Sequence, residues 1–158
     1  MKGSGRVTEA LNDLLTLEMT VINQYFLHSK MCENWGYRRL AKRFRDVALE
    51  EMKDAERIID RILLLEGVPN MQRLSAVTIG ESVPEQLQIQ LAGEQQALKV
   101  LADGIKVSLE EGDDASREFF AGSLLDEEQH ADWLETELSL IGHVGEANYL
   151  AQQIHDGG

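Results

Sequence analysis

Residues 124–134 read LLDEEQHADWL, and residues 49–58 read LEEMKDAERI. In the first stretch Glu127 precedes His130 by three residues; in the second Glu51 precedes Asp54 by the same step. Side chains three apart on an α-helix share a face, so each pair can reach one ion. The surrounding apolar residues call for the helix. Phe120, Leu124, Glu127, Ala131, Leu134, Leu138 and Ile141 recur at three- and four-residue steps. Leu40, Phe44, Val47, Glu51, Asp54, Ile58, Ile62 and Leu65 do the same. Two more stripes share the period: Leu11, Leu14, Glu18, Val21/Ile22 and Tyr25, then Leu87, Leu91, Glu94, Leu98, Leu101 and Ile105. The pattern predicts four long helices over approximately 5–35, 39–66, 83–111 and 115–144.

The connections set the topology. Trp35-Gly36-Tyr37 and Glu110-Glu111-Gly112-Asp113 are short breaks, so the first and second helices, and the third and fourth, should be antiparallel neighbours. The crossover over roughly 67–82, GVPNMQRLSAVTIGE and Ser82, is long and holds Pro69. It leads into Ser82-Val83-Pro84-Glu85, which reads as a capping box with proline in the first turn. A connector of this length can return along the bundle and make the second and third helices parallel. One such crossover is the ferritin-like arrangement; the cytokine bundle needs two. Gly142 and Gly145 bracket a break before a short fifth helix, roughly 146–155. The expected fold is therefore all-α: a single ferritin-like four-helix bundle over 1–158 with a short C-terminal helix.

Composition narrows the function. The chain has 158 residues, with 43% hydrophobic and 27% charged content, which suits one soluble domain with a proper core. A formal net charge of −13 argues against nucleic acid or an anionic membrane as partner and suits cations. Cys32 is the only cysteine, so neither an intrachain disulfide nor a four-cysteine metal knuckle can form. Together with a start, MKGSGRV, that lacks an apolar signal core, this points to a cytoplasmic protein.

The stripes carry an anomaly. Glu18, Glu51, Glu94 and Glu127 each occupy a position where the period demands an apolar residue. An ionised carboxylate buried without a partner is costly enough to protonate or be excluded. One such glutamate could pair with a lysine; one near the middle of every helix is harder to dismiss. Glu18 to Glu51 is 33 residues, and so is Glu94 to Glu127. Adding 76 to positions 18, 51 and 54 gives 94, 127 and 130. The halves thus repeat one ligand pattern, a lone Glu followed by Glu-x-x-(His/Asp). Two such halves face to face make the carboxylate-bridged two-metal site of four-helix proteins. Oxygen donors with imidazole suit iron or manganese. The blander alternative is a set of solvated glutamates on a misphased helix.

Beyond the ligands, the chain resembles the bacterioferritin family along its whole length. The likeness rests on MKG at the start, INQYFLHSKM at 22–31, NWG at 34–36, RILLLEGVPN at 61–70, DEEQHADWLETEL at 126–138 and NYLAQQI at 148–154. It implies a shell of twenty-four subunits that stores iron as a ferric mineral, with Fe(II) oxidised by oxygen or peroxide at paired irons. Carried over by position, Glu51 and Glu127 bridge the metals, Glu18 and Asp54 serve one iron, and Glu94 and His130 the other. The resemblance also implies b-type haem shared between two subunits, with Met52 as its axial ligand and a small ferredoxin as redox partner for iron release. On spacing alone Met52, about 100° round the helix from Glu51, reads first as an interface filler beside Met19, Ile22, Phe26 and Leu49, and it is the resemblance that favours the haem ligand. Met19, Asn23, Phe26, Arg45, Lys53 and Met71 are the other candidates for the haem pocket, Arg45 or Lys53 facing propionates. Tyr25 and Trp133 are candidate electron donors or simply packing. Asp46 and Glu50, four apart, read as a repelling pair or a solvated acidic face. His28, His143 and His155 show no ligand constellation.

The resemblance expects histidine at position 54, where this chain has aspartate. Either side chain can place a donor atom in the same region, but aspartate adds a negative charge, which favours Fe(III) and raises neighbouring carboxylate pKa values in the empty site. Two functional readings follow: an iron-storing ferroxidase with one unusual ligand, or a haem-carrying structural subunit with an impaired site that forms mixed shells with an active one. A rubrerythrin-like peroxidase lacks the cysteines it would need, and a small di-iron oxygenase fits the ligands but not the full-length likeness.

Overall fold

Caps written into the sequence decide where each helix starts and stops. The computed structural model describes residues 1–156. It holds α1 (Gly5–Trp35), α2 (Arg38–Leu64), α3 (Val83–Glu110), α4 (Asp114–Val144) and α5 (Glu146–Gln153), with no strand among the described residues. The Ser4 side chain accepts from the Arg6 N–H at the start of α1. Gly36 ends that helix at φ 88, a left-handed conformation that a Cβ would strain.

Three local expectations change. Helix α2 stops at Leu64 rather than 66, because Glu66 turns left-handed (φ 61) and the Gly67 N–H closes back on Ile62 O at 2.9 Å. The capping box of α3 is also displaced. Ser82 Oγ accepts from the Glu85 N–H, but Glu85 Oε2 accepts from the Glu81 N–H, one residue before the cap. Helix α5 ends at Gln153, short of 155.

The crossover can be followed through its bonds to α1. Val68 O accepts from Asn12 Nδ2, Arg73 Nε donates to Thr16 Oγ1, and the Gly80 N–H donates to His28 Nε2. The segment thus climbs α1 towards its C-terminal end before α3 begins. From there α3 descends antiparallel to α1, as Cys32–Gln86, His28–Gln90 and Tyr25–Glu94 contacts follow in order. Because α2 also runs antiparallel to α1, α2 and α3 are parallel. Gly104 lets α3 approach α4 closely: a Cβ there would lie 2.6 Å from the Phe120 ring. No helix among the described residues is long and apolar enough to cross a membrane.

Apolar packing divides into two clusters. One gathers Val21, Tyr25, Leu40, Phe44, Val47, Leu87 and Leu134; the other gathers Leu11, Leu15, Ala55, Ile58, Ile62, Leu101 and Phe120. In sequence, the inward glutamate of each helix falls where one cluster gives way to the other. Two greasy blocks therefore hold a polar layer between them.

His28 fastens the crossover and is fully buried. Its Nε2 accepts from Gly80 at 3.0 Å, which requires that nitrogen to be unprotonated, and Nδ1 faces the Gln90 amide at 2.9 Å. Burial holds its pKa down to about 4, against a smaller upward pull from Glu85. Between that value and the ordinary ~6.5 the unfolded chain binds a proton that the folded chain refuses. This contribution to stability is complete above pH ~6.5 and is lost as pH falls towards 4, by up to about 3 kcal/mol. Urea midpoints measured across that window should fall less steeply for His28→Gln than for the parent chain. Equal slopes would contradict the assignment.

Candidate metal centre

The helical period turns one glutamate of each long helix inward, and all four are buried: Glu18, Glu51, Glu94 and Glu127. Buried oxygens normally have donors. Here Glu18 Oε2, both oxygens of Glu51, Glu94 Oε2, Glu127 Oε2 and His130 Nδ1 have no hydrogen-bond partner. Ligand atoms of Glu51, Glu94, Glu127 and His130 lie within 4.8 Å of one another, and so do those of Glu18, Glu51, Asp54 and Glu127. Glu51 and Glu127 belong to both groups. A divalent cation in each group would satisfy these oxygens together, and the carboxylate–imidazole donor set fits iron or manganese. The residues present therefore fit a pair of such ions.

His130 lies on α4 one turn after Glu127. Its Nδ1 is 2.8 Å from Glu51 Oε1, 3.5 Å from Glu127 Oε2 and 3.9 Å from Glu94 Oε1. The close approach to Glu51 lacks hydrogen-bond alignment, since neither atom has a bonded partner. On the other side of the ring, Nε2 meets Glu50 Oε2 at 3.2 Å. The Tyr25 hydroxyl donates to Glu94 Oε1 at 2.8 Å.

Charge is distributed unevenly over this layer. Burial, then the Glu51 charge, pushes Glu18 well above the usual carboxylate range. Burial does the same to Glu94, reinforced by Glu127. Glu51 is raised mainly by burial. Burial also acts upward on Glu127, but the closeness of Glu94 and His130 outweighs it and brings it down to about 2. Burial acts downward on His130, yet Glu127 and Glu51 together lift it to about 11. Burial thus works against ionised Glu18 and Glu94 while His130 favours its protonated form, and a bound cation has to overcome both tendencies.

Asp54 faces the group from α2, with its side chain 15% exposed. Arg57, one turn further on, donates to its Oδ1. A cavity of about 270 Å³ opens beside both, lined by Glu50, Lys53, Asp54, Arg57, Asp126, Gln129 and His130. Arg57 is a residue that the sequence did not single out, and Glu50 one that it placed on a repelling or solvated acidic face rather than beside His130. Asp46 and Glu50 lie on an exposed acidic face rather than as a bare repelling pair. Lys42 binds Asp46 at 2.7 Å and Glu50 turns to His130, so each acid has its own cation or donor.

The remaining candidates are spread over the outer faces. Met52, Phe26, Leu49 and Met71 are exposed apolar side chains, Asn23 is exposed and Met19 is half-buried. Leu49 and Met52 lie a turn apart on α2, and Met19, Asn23 and Phe26 share one stripe of α1. Arg45, two turns before Met52, lines a separate hollow with Lys30, Glu33, Arg38 and Asp156. Lys53 lines the cavity beside Asp54 instead. Trp133 packs edge-on against Phe44 at 6.2 Å, with the Arg43 guanidinium 4.8 Å from its ring centre. His143 is held by Ser139 within α4, and His155 is exposed.

Comparison with known proteins agrees with this arrangement. The ferritin family model, described as a ferritin-like domain, matches residues 8–143. A bacterioferritin of Mycobacterium leprae is 47% identical over 152 residues, covering 96% of each chain. Bacterioferritin BfrA of Mycobacterium tuberculosis is 46% identical over the same shares. A bacterioferritin of Streptomyces coelicolor is 46% identical over 154 residues, 98% of this chain and 92% of its own.

Proposed function

The chain belongs to the bacterioferritin family of ferritin-like proteins, and from that premise we propose that it stores iron and oxidises Fe(II) at its buried carboxylate layer. The observation that carries the reading is the pair of overlapping ligand groups that share Glu51 and Glu127. In this reading Fe(II) is the substrate. Glu18 and Asp54 hold one ion, Glu94 and His130 hold the other, and the shared glutamates lie between them. His130 must give up its proton to offer Nδ1, and the cations must hold Glu18 and Glu94 ionised against the pull of burial. The electrons lost by the iron pair go to oxygen or peroxide. Tyr25, whose hydroxyl donates to Glu94, would be the candidate for an auxiliary electron.

The ferric product collects inside a hollow assembly of this chain, in the cytoplasm, either alone or mixed with a second bacterioferritin subunit. Met52 fits a shared haem because its thioether stands exposed on an apolar face. Met19, Asn23, Phe26 and Met71 complete that side, and Arg45 is the cation left to meet propionates. Haem bound there would supply a one-electron path for a small ferredoxin to reduce stored iron.

Asp54 decides between a working and an impaired site. It keeps company with Glu18, Glu51 and Glu127, which supports a working one. Adding Fe(II) aerobically to the purified assembly should give a fast absorbance rise with oxygen uptake, saturating at two irons per subunit. Asp54→His should retain it. A fast phase absent from the parent chain and restored in Asp54→His would instead establish the impaired, structural subunit.

A further inference from the structure

Resting on that reading, we propose that Arg57 is the positioning residue that makes an aspartate usable at position 54, holding one carboxylate oxygen outward so that the other faces the metal. The case starts from charge. Glu18, Glu51, Asp54, Glu94 and Glu127 bring five negative charges when ionised, and two divalent cations bring four positive ones. With His130 neutral, the filled layer is left one negative charge in excess. Such an excess, in a layer whose glutamates are buried, is expensive unless a cation stands close by.

Arg57 is the cation bonded to a ligand of this layer. It sits three residues after Asp54 on α2 and donates through a terminal guanidinium nitrogen to Oδ1. Lys53 lines the same cavity without bonding to Asp54. The two partners differ in burial. Asp54 is 15% exposed while Arg57 is 63% exposed, so the guanidinium keeps its hydration and meets the acid at the cavity mouth. Its Coulomb effect is therefore screened, whereas its geometric effect is not. A carboxylate is free to turn about its last bond. A donor fixed on Oδ1 restricts that rotation and leaves Oδ2 for the metal, as outer partners of metal-bound carboxylates do.

This role exists only where residue 54 is an acid. A histidine there would have no carboxylate for Arg57 to hold, and the charge excess would vanish with it. A structural role for Arg57 within α2 would persist in either background.

The test is a double-mutant cycle read by Co(II) binding to the whole protein, using the visible absorption of the bound ion. Arg57→Met should weaken Co(II) binding at one of the two positions on the order of 10–100-fold. In the Asp54→His background the same change should shift it about twofold or less. Equal losses in both backgrounds would make Arg57 merely structural and overturn the proposal. Tighter binding in Arg57→Met would show it competing with the metal for Asp54, and would overturn it too. If the parent chain takes up no Co(II) in the layer, the two-metal reading itself fails. That outcome differs from a parent that binds two ions with no effect of Arg57, in which the reading survives and only this proposal falls.

Discussion

Replacing Glu51 with alanine is expected to remove both metal positions at once. Glu51 is fully buried, both of its oxygens lack hydrogen-bond partners, and it belongs to both ligand groups. An unshared ligand has a narrower effect. Glu18 belongs only to the group with Asp54, and Glu94 only to the group with His130. Co(II) titration should therefore give two ions per chain for the parent, one each for Glu18→Ala and Glu94→Ala, and none for Glu51→Ala. Loss of an outer partner of a ligand already lowers metal affinity about 10–100-fold, and loss of a direct donor lowers it at least as far. Glu51→Ala imposes that loss on both positions at once, so neither fills. A single ion retained in Glu51→Ala would mean that the sites do not share this carboxylate.

The largest loss of stability is expected from Phe44→Ala. Phe44 is fully buried where α2 meets the other helices, with ring centres of Tyr25 at 6.1 Å, Trp133 at 6.2 Å and His28 at 6.5 Å. Alanine would leave a cavity that three rings cannot collapse to fill, at a cost of about 3–5 kcal/mol. The damage should also spread to the metal layer, because Tyr25 leans on Phe44 and bonds Glu94. Urea unfolding of the metal-free protein measures the first effect, and the Glu94-side Co(II) affinity measures the second. A stability loss under about 1 kcal/mol would contradict this packing account.

Much of this architecture was legible because helices write their faces into the sequence at a fixed period. The fold class follows from four long stripes, two short breaks and one long crossover. Burial of Glu18, Glu51, Glu94 and Glu127 was legible for the same reason, since each stands where the stripe requires an apolar residue. Side-chain direction off the stripe was not legible. Glu50 lies one residue from Glu51 and reads as solvated, yet it bends to His130 Nε2 on a helix eighty residues away. Arg57 is an ordinary exposed arginine until Asp54 is seen beside it. Helix ends were similarly hidden. Glu66 gives no sign that it, rather than Gly67, will take the left-handed turn after α2. Nor does the Ser82–Glu85 spacing say that Glu85 will reach past the cap to Glu81.

Six residues from four helices are proposed to hold two irons in the middle of the bundle. Crystals of the protein soaked anaerobically in Fe(II), with anomalous diffraction collected at the iron edge, test it most directly. Two peaks per chain are expected, one among Glu18, Glu51, Asp54 and Glu127 and one among Glu51, Glu94, Glu127 and His130. A lone peak, or peaks confined to the cavity outside Asp54 and Glu50, would contradict it.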